Sequence, residues 1–284
     1  MKQQKEKWII GDIHGCFETL MALIIKLPPG TKSEDIMYCG DMIDRGPDTR
    51  SVINYIRESG SQVVKGNHEE LMCSAIESMV DWGAPLWNSD WVQNGGGVYL
   101  DEYKDEEGNI DNAALQADYE WFLNLPVVAI ADTKDAQGRN LVVSHATSSE
   151  VVDSYIKAVN VVVDGITEEI TEHHMIDYKH QVSNLEMIMM WDRKVPKHTS
   201  TKYFNVFGHT PIDNFAFKGG EVGGEDKVDG CLTDDYIVID KKRGYANIDS
   251  GCCYNKKKFG KFRGSLTAIS FPGLEVIQQE NIDV

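Results

Sequence analysis

Two hydrophobic periods alternate along the first third of the chain. "KWIIGD" (7–12) is a short apolar run closed by glycine and an acid, as expected of a buried strand. "FETLMALIIKL" (17–27) spaces its apolar residues three and four apart and stops at Pro28-Pro29, which predicts an amphipathic helix. The pair then recurs. "DIMYCGD" reads as a strand and "TRSVINYIRESG" as a helix ended by glycine; "QVVKGN" reads as a third strand and "HEELMCSAIESMV" as a third helix. Strand and helix alternating over short links imply parallel strands with crossover helices. Residues 82–125 keep a helical pattern, clearest in "WVQNGGGVYLDEY" and "ALQADYEWFLNLP". "VVAIAD" and "NLVVSHA" predict two strands joined by the polar turn "TKDAQGR", and residues 148–186 are acidic and ambiguous. Short strands dominate afterwards: "YFNVFGH", "FAFKGG", "DYIVID", "GYANID", "SLTAISF" and "LEVIQQ". The expected architecture is α/β, a single domain over residues 1–284. Its second sheet is expected to be mostly antiparallel and to pack on the first as a sandwich flanked by helices. The acidic segments 160–186 and 219–236 read either as functional loops that flank the cleft and select substrate or as ordinary surface insertions.

Composition narrows the function classes. With 284 residues, 42% of them hydrophobic, the chain can build a substantial core. Its formal net charge of −17 repels nucleic-acid backbones and anionic membranes, so extended nucleic-acid binding and membrane association are excluded as expectations. A small anionic group can still bind where cations are concentrated. No apolar run reaches membrane-spanning length, and "MKQQKEKWII" lacks a signal-peptide core. The six cysteines, Cys16, Cys39, Cys73, Cys231, Cys252 and Cys253, form no CxxC pair, so reduced thiols and a cytoplasmic setting are expected.

The ends of the predicted strands carry the chemistry. Alternation puts Asp12 and His14 on one side of the first strand's end, and the next two strands end at Asp41 and Asn67, each beside a glycine. His145 in "SHA" and His209 in "GHTP" complete a set of oxygen and nitrogen donors. Such donors favour manganese, iron, zinc or magnesium over softer ions, and they suffice for two ions bridged by a shared carboxylate. A paired divalent centre attracts an anion. Arg45, close to Asp41, and Arg193 in "MMWDRK" offer planar forks suited to phosphate oxygens. Adjacent His173 and His174, which point in different directions, are read as solvated surface.

"GDIHG", "GDMIDRG" and "GNHE", followed by "SHA" and "GHTP", resemble the phosphoprotein phosphatase group of binuclear metallophosphoesterases, nearest its bacterial and phage-type serine/threonine phosphatases. "WVQNGGG", "WDR" and "NIDSG" look like weaker markers of the same subgroup. The resemblance implies paired mixed sheets flanked by helices, and two divalent ions with manganese foremost. Asp12 and His14 would hold the first ion, Asp41 would bridge, and Asn67, His145 and His209 would hold the second. His68 would be the general acid, oriented by Asp44. Arg45, Arg193 and the Asn67 side chain would bind phosphate. The implied reaction is hydrolysis of phosphoserine or phosphothreonine in proteins, by in-line attack of a hydroxide bridging the ions. A symmetrical diadenosine tetraphosphatase, or another hydrolase of phosphorylated small molecules, is the alternative. That subgroup tends to carry glutamine at the position of His14 and to lack the Asp44-Arg45 pair. A catalytically silent metal-binding scaffold would need a broken ligand set, and none is broken here.

Overall fold

The computed structural model describes residues 5–165, 172–194, 196–211, 237–254 and 264–283. The strands of its first half are β1 (Lys7–Ile10), β2 (Ile36–Tyr38), β3 (Gln62–Val63), β4 (Val128–Lys134) and β5 (Asn140–Ser144). Those of the second half are β6 (Tyr203–Phe207), β7 (Val238–Asp240), β8 (Tyr245–Asn247), β9 (Ser265–Phe271) and β10 (Val276–Glu280). They form two five-stranded sheets, ordered β10-β9-β1-β2-β3 and β4-β5-β6-β8-β7. Both are mixed. β1, β2 and β3 run parallel to one another, as do β5, β6 and β8.

Period-two alternation explains the layering. Ile9 and Met37 face the second sheet and pack with Leu141, Val143, Phe204 and Val206 in the core between the sheets. Their neighbours Trp8, Ile10, Ile36 and Tyr38 point the other way, into a core shared with the first sheet's helices. On that side lie α1 (Phe17–Lys26), α2 (Thr49–Ser59), α3 (Asn67–Trp82) and α5 (Asn112–Leu123); the short α4 (Gly97–Asp101) precedes α5. α2 begins where the Asp48 side chain accepts the Ser51 amide N–H, and it ends at left-handed Gly60, φ 67°. α6 (Val152–Asp164) and α7 (Glu172–Trp191) pack on each other, with Val152 and Met190 among the residues buried beneath the second sheet's outer face.

Three expectations are corrected. The second sheet is not mostly antiparallel, because its centre is the parallel trio β5-β6-β8. "SLTAISF" and "LEVIQQ" do not join it; as β9 and β10 they pair antiparallel beside β1 in the first sheet. Short apolar runs carry no information about which sheet they enter. Residues 160–186 are not a loop where described but belong largely to α6 and α7. Just before them, at the start of α6, Val152, Tyr155 and Ile156 show a helical period, on a face partly masked by the acids around it. "FAFKGG" and the segment 219–236 lie outside the described residues. Among the described residues no helix is long and apolar enough to cross a membrane.

Fully buried Ile9 holds the sheets together, whereas Ile25 on α1 is 81% exposed. Ile9→Ala should lower unfolding free energy by about 2–5 kcal/mol. Ile25→Ala should change it by under about 0.5 kcal/mol, read from urea denaturation midpoints.

Candidate active site

The two parallel trios deliver their C-terminal ends to one place. Asp12 follows β1, Asp41 follows β2 and Asn67 follows β3. From the second sheet, His145 follows β5, His209 follows β6 and Asp249 follows β8. All six are buried. Open α/β sheets place ligand sites at such ends because the loops there leave the core together.

Asp41 stands at the centre. Its Oδ2 is 3.6 Å from His14 Nε2, and its Oδ1 is 3.3 Å from His145 Nε2, so each oxygen faces a different histidine. Asn67 Oδ1 lies 2.9 Å from His145 Nε2 and 2.8 Å from His209 Nδ1, and those two nitrogens are 3.1 Å apart. Main-chain carbonyls set the orientation of each ring. His14 Nδ1 donates to the Ile43 carbonyl at 2.9 Å, His145 Nδ1 to that of Cys39 at 2.9 Å, and His209 Nε2 to that of Trp191 at 3.2 Å. The nitrogen left over on each ring faces the centre. Asp12 accepts the His209 amide N–H at 3.0 Å through Oδ2. His14, Asp41 and His68 form one potential ion-holding group, and Asp41, His145 and His209 a second.

The backbone is strained at this point. Among the described residues six non-glycines have positive φ, and five are site residues: His14 and Asp41 at 49°, Asp44 at 72°, and Arg45 and His209 at 70°. Each such conformation costs on the order of 1–3 kcal/mol and persists only where its surroundings enforce it. Glu69 provides part of that enforcement. Its buried carboxylate accepts the amides of Asp41 at 3.0 Å, Met42 at 2.8 Å and Gly66 at 2.8 Å, joining the loop after β2 to the start of α3. Gly208 is required by close approach, since a β-carbon there would sit 1.9 Å from Asp12 Oδ1.

A second cluster borders the first. His68 Nδ1 pairs with Asp44 Oδ2 at 2.6 Å, and Trp91 Nε1 donates to Asp44 Oδ1 at 2.9 Å. The Arg45 guanidinium donates to His14 Nε2 at 2.6 Å and to His68 Nε2 at 2.8 Å. Gly95, φ 115°, fits against Arg45, where a β-carbon would meet Cγ at 2.7 Å. Arg193 is exposed, close enough to His209 for its charge to be felt there. All ten residues singled out from the sequence therefore lie in this region. His173 and His174 stand apart on α7, exposed.

Electrostatics reflect a crowd of buried acids. Burial, reinforced by Asp249, raises Asp12 well above the usual carboxylate range. Burial likewise lifts Asp249 to about 6 and Glu69 to about 7. Burial opposes ionisation of Asp41 too, but His145 and His68 prevail and hold it low. His145 reaches about 10, because Asp41 and Asp12 outweigh its burial. His209 falls to about 3 through burial and the neighbouring His145.

Sequence reasoning missed three residues here. Asp249 was detectable, since "YANIDSG" repeats the strand–acid–glycine pattern of "WIIGD". Glu69 and Trp91 act through contacts distant in sequence, and only the "GNHE" and "WVQNGGG" motifs hinted at them.

This convergence of oxygen and nitrogen donors at strand ends suits divalent ions. The model of the calcineurin-like phosphoesterase family matches residues 7–237, and the chain belongs to that family. Serine/threonine-protein phosphatase 1 of Salmonella typhimurium is 35% identical over 95 residues, 34% of this chain and 41% of the relative. The symmetrical bis(5'-nucleosyl)-tetraphosphatase of Photorhabdus laumondii is 39% identical over 64 residues, 22% of this chain and 23% of the relative. These alignments thus span under half the length of either relative. A crystal structure of a protein proposed to be a diadenosine tetraphosphatase superposes with a TM-score of 0.50 at 17% identity, covering 100% of this chain and 96% of that one, and shows the shared fold.

Family membership implies divalent ions, and the donor set fits them. Asn67 Oδ1, His209 Nδ1 and His145 Nε2 crowd within 2.8–3.1 Å of one another, an arrangement that needs a cation or a proton among them. His145, raised to about 10 by Asp41 and Asp12, carries a proton that a bound ion would displace. At pH 7.5 binding of a divalent ion such as manganese should therefore release protons, and affinity should rise with pH. Calorimetric titrations in buffers of different ionisation enthalpy measure the proton count; a count of zero contradicts the assignment. Gly208→Ala should weaken manganese binding at least about tenfold while circular dichroism stays native, because the new methyl displaces Asp12.

Proposed function

We propose that the chain is a manganese-dependent phosphomonoesterase that hydrolyses phosphoserine and phosphothreonine in proteins. In this reading Asp12, His14 and Asp41 hold one ion, and Asp41, Asn67, His145 and His209 the other. The bound pair supplies a water acidified toward neutrality and neutralises charge on the phosphoryl oxygens. The remaining roles fall to the chain. Arg45 presents two donors in a fork beside His14 and His68, and that fork would hold phosphate oxygens. Arg193 adds a cation on the His209 side. Asn67, with Oδ1 facing the histidines, keeps its amide nitrogen for a phosphate oxygen.

The observation that carries the protein-phosphatase reading is the buried His68–Asp44 pair at 2.6 Å. A serine or threonine alkoxide is a poor leaving group and needs a proton as it departs. Asp44, itself fixed by Trp91, holds the imidazole with Nε2 turned toward Arg45 and the phosphate position. A nucleoside diphosphate leaves readily as an anion and has little use for this device. Similarity to symmetrical tetraphosphatases keeps the nucleotide reading as the competitor. Geometry alone also admits His68 as an ion ligand, but its 2.6 Å pairing with the buried Asp44 favours the acid role.

His68→Asn should leave manganese content intact and lower kcat on a phosphoserine peptide roughly 10²–10³-fold. The loss on p-nitrophenyl phosphate should be under about tenfold, because nitrophenolate departs unaided. Equal losses on both substrates refute the acid role. The substrate class is tested by comparing kcat/KM for phosphoserine and phosphotyrosine peptides and diadenosine tetraphosphate. A clear preference for the tetraphosphate overturns the proposal.

A further inference from the structure

A groove runs along α3 away from the site. Leu71, Ala75 and Ser78 of the helix form one wall, and Pro85, Asn88 and Trp91 from the following segment form the other, around a cavity of about 320 Å³. His68, Leu71, Ala75 and Ser78 are spaced three, four and three apart, which places them on one helical stripe. The groove therefore starts one turn beyond His68, and its Trp91 is the residue that donates to Asp44. On either side of the Ala84-Pro85 turn stand the most exposed aromatic side chains of the region, Trp82 at 85% and Trp87 at 72%. Exposed tryptophans are costly to leave in water, and beside a polar-rimmed groove they mark an interaction surface.

Charge identifies what the surface would take. From Gly66 to Tyr103 the sequence holds no lysine or arginine but seven acids, Glu69, Glu70, Glu77, Asp81, Asp90, Asp101 and Glu102. Asp90 lines the groove, and Glu77 and Asp81 are exposed on α3. Asp90 in the groove, Glu77 and Asp81 on the same helix, and the exposed indoles of Trp82 and Trp87 on the adjoining chain suit a cationic segment, through both charge and cation–π contact.

We propose that this groove docks the substrate protein through lysine or arginine residues flanking its phosphoresidue, an inference that rests on the protein-phosphatase reading above. Ten residues of helix separate His68 from Ser78, about 15 Å, which an extended peptide spans in roughly four to five residues. The basic residues should therefore sit three to five positions from the phosphoserine.

The test compares two phosphoserine peptides that differ only in carrying arginine or glutamate at those positions, with p-nitrophenyl phosphate as a docking-independent control. Wild-type enzyme with manganese should favour the arginine peptide at least tenfold in kcat/KM. Trp82→Ala combined with Trp87→Ala should erase most of that preference through KM, with p-nitrophenyl phosphate turnover unchanged within twofold. Asp81→Asn with Asp90→Asn should reduce both the preference and its salt sensitivity. Equal hydrolysis of the two peptides, or a preference that survives the tryptophan substitutions, overturns the docking role alone. So does a change of sedimentation mass in the tryptophan variant, which would make the patch an interface between copies of the chain. Turnover of diadenosine tetraphosphate with neither peptide cleaved overturns the protein-phosphatase reading itself, and the docking role with it.

Discussion

The carboxylate of Glu69 is the contact on which the site depends most. One buried side chain collects three main-chain amides from two loops, those of Asp41, Met42 and Gly66. Those loops carry the central carboxylate on one side and Asn67 and His68 on the other. Left-handed backbone at Asp41 would relax without such a clamp, and the spacing between the central carboxylate and the histidines would be lost. Hydrogen bonds from backbone amides to a carboxyl group in a buried setting are shielded from competing water. The residue that does this never touches a donor nitrogen of the cage. It organises the site from behind.

The same logic recurs at each histidine. Carbonyls of Ile43, Cys39 and Trp191 dictate which ring nitrogen faces inward, so the chemistry is set by where the main chain runs. Trp91 does the equivalent for Asp44, and the Gly95 corner does it for Arg45. The residues expected to do chemistry are thus each held by at least one partner remote in sequence.

How much of this was legible beforehand follows from the range of each signal. β1 through α3 could be read from period and punctuation alone, because each element carries its own boundary in glycine, proline or an N-terminal acid. Asp12, His14, Asp41 and Asn67 were legible for the same reason, since they end those elements. His145 and His209 were visible as histidines beside small residues after apolar runs. Partnership was not legible. Nothing in "SLTAISF" says that it returns to lie beside β1, because strand pairing is set by the whole chain's topology and not by the strand's own residues. Nor did the acids of residues 148–186 announce helices, since a surface helix can be polar on most of its circumference and betray itself only by a few buried positions such as Val152 and Ala158. Asp249 shared the pattern of the other strand ends but lacked a neighbouring histidine to draw notice.

The two trios of strand ends carry a last implication. Asp12, Asp41 and Asn67 come from one sheet, and His145 and His209 from the other. Neither layer owns a complete cage. A fragment holding only the first half of the polypeptide would keep carboxylates without enough imidazoles, and one holding the second half would keep imidazoles with no bridging oxygen. Ion capture is consequently a property of the assembled sandwich, and the chain acquires its chemistry only when its two halves have met.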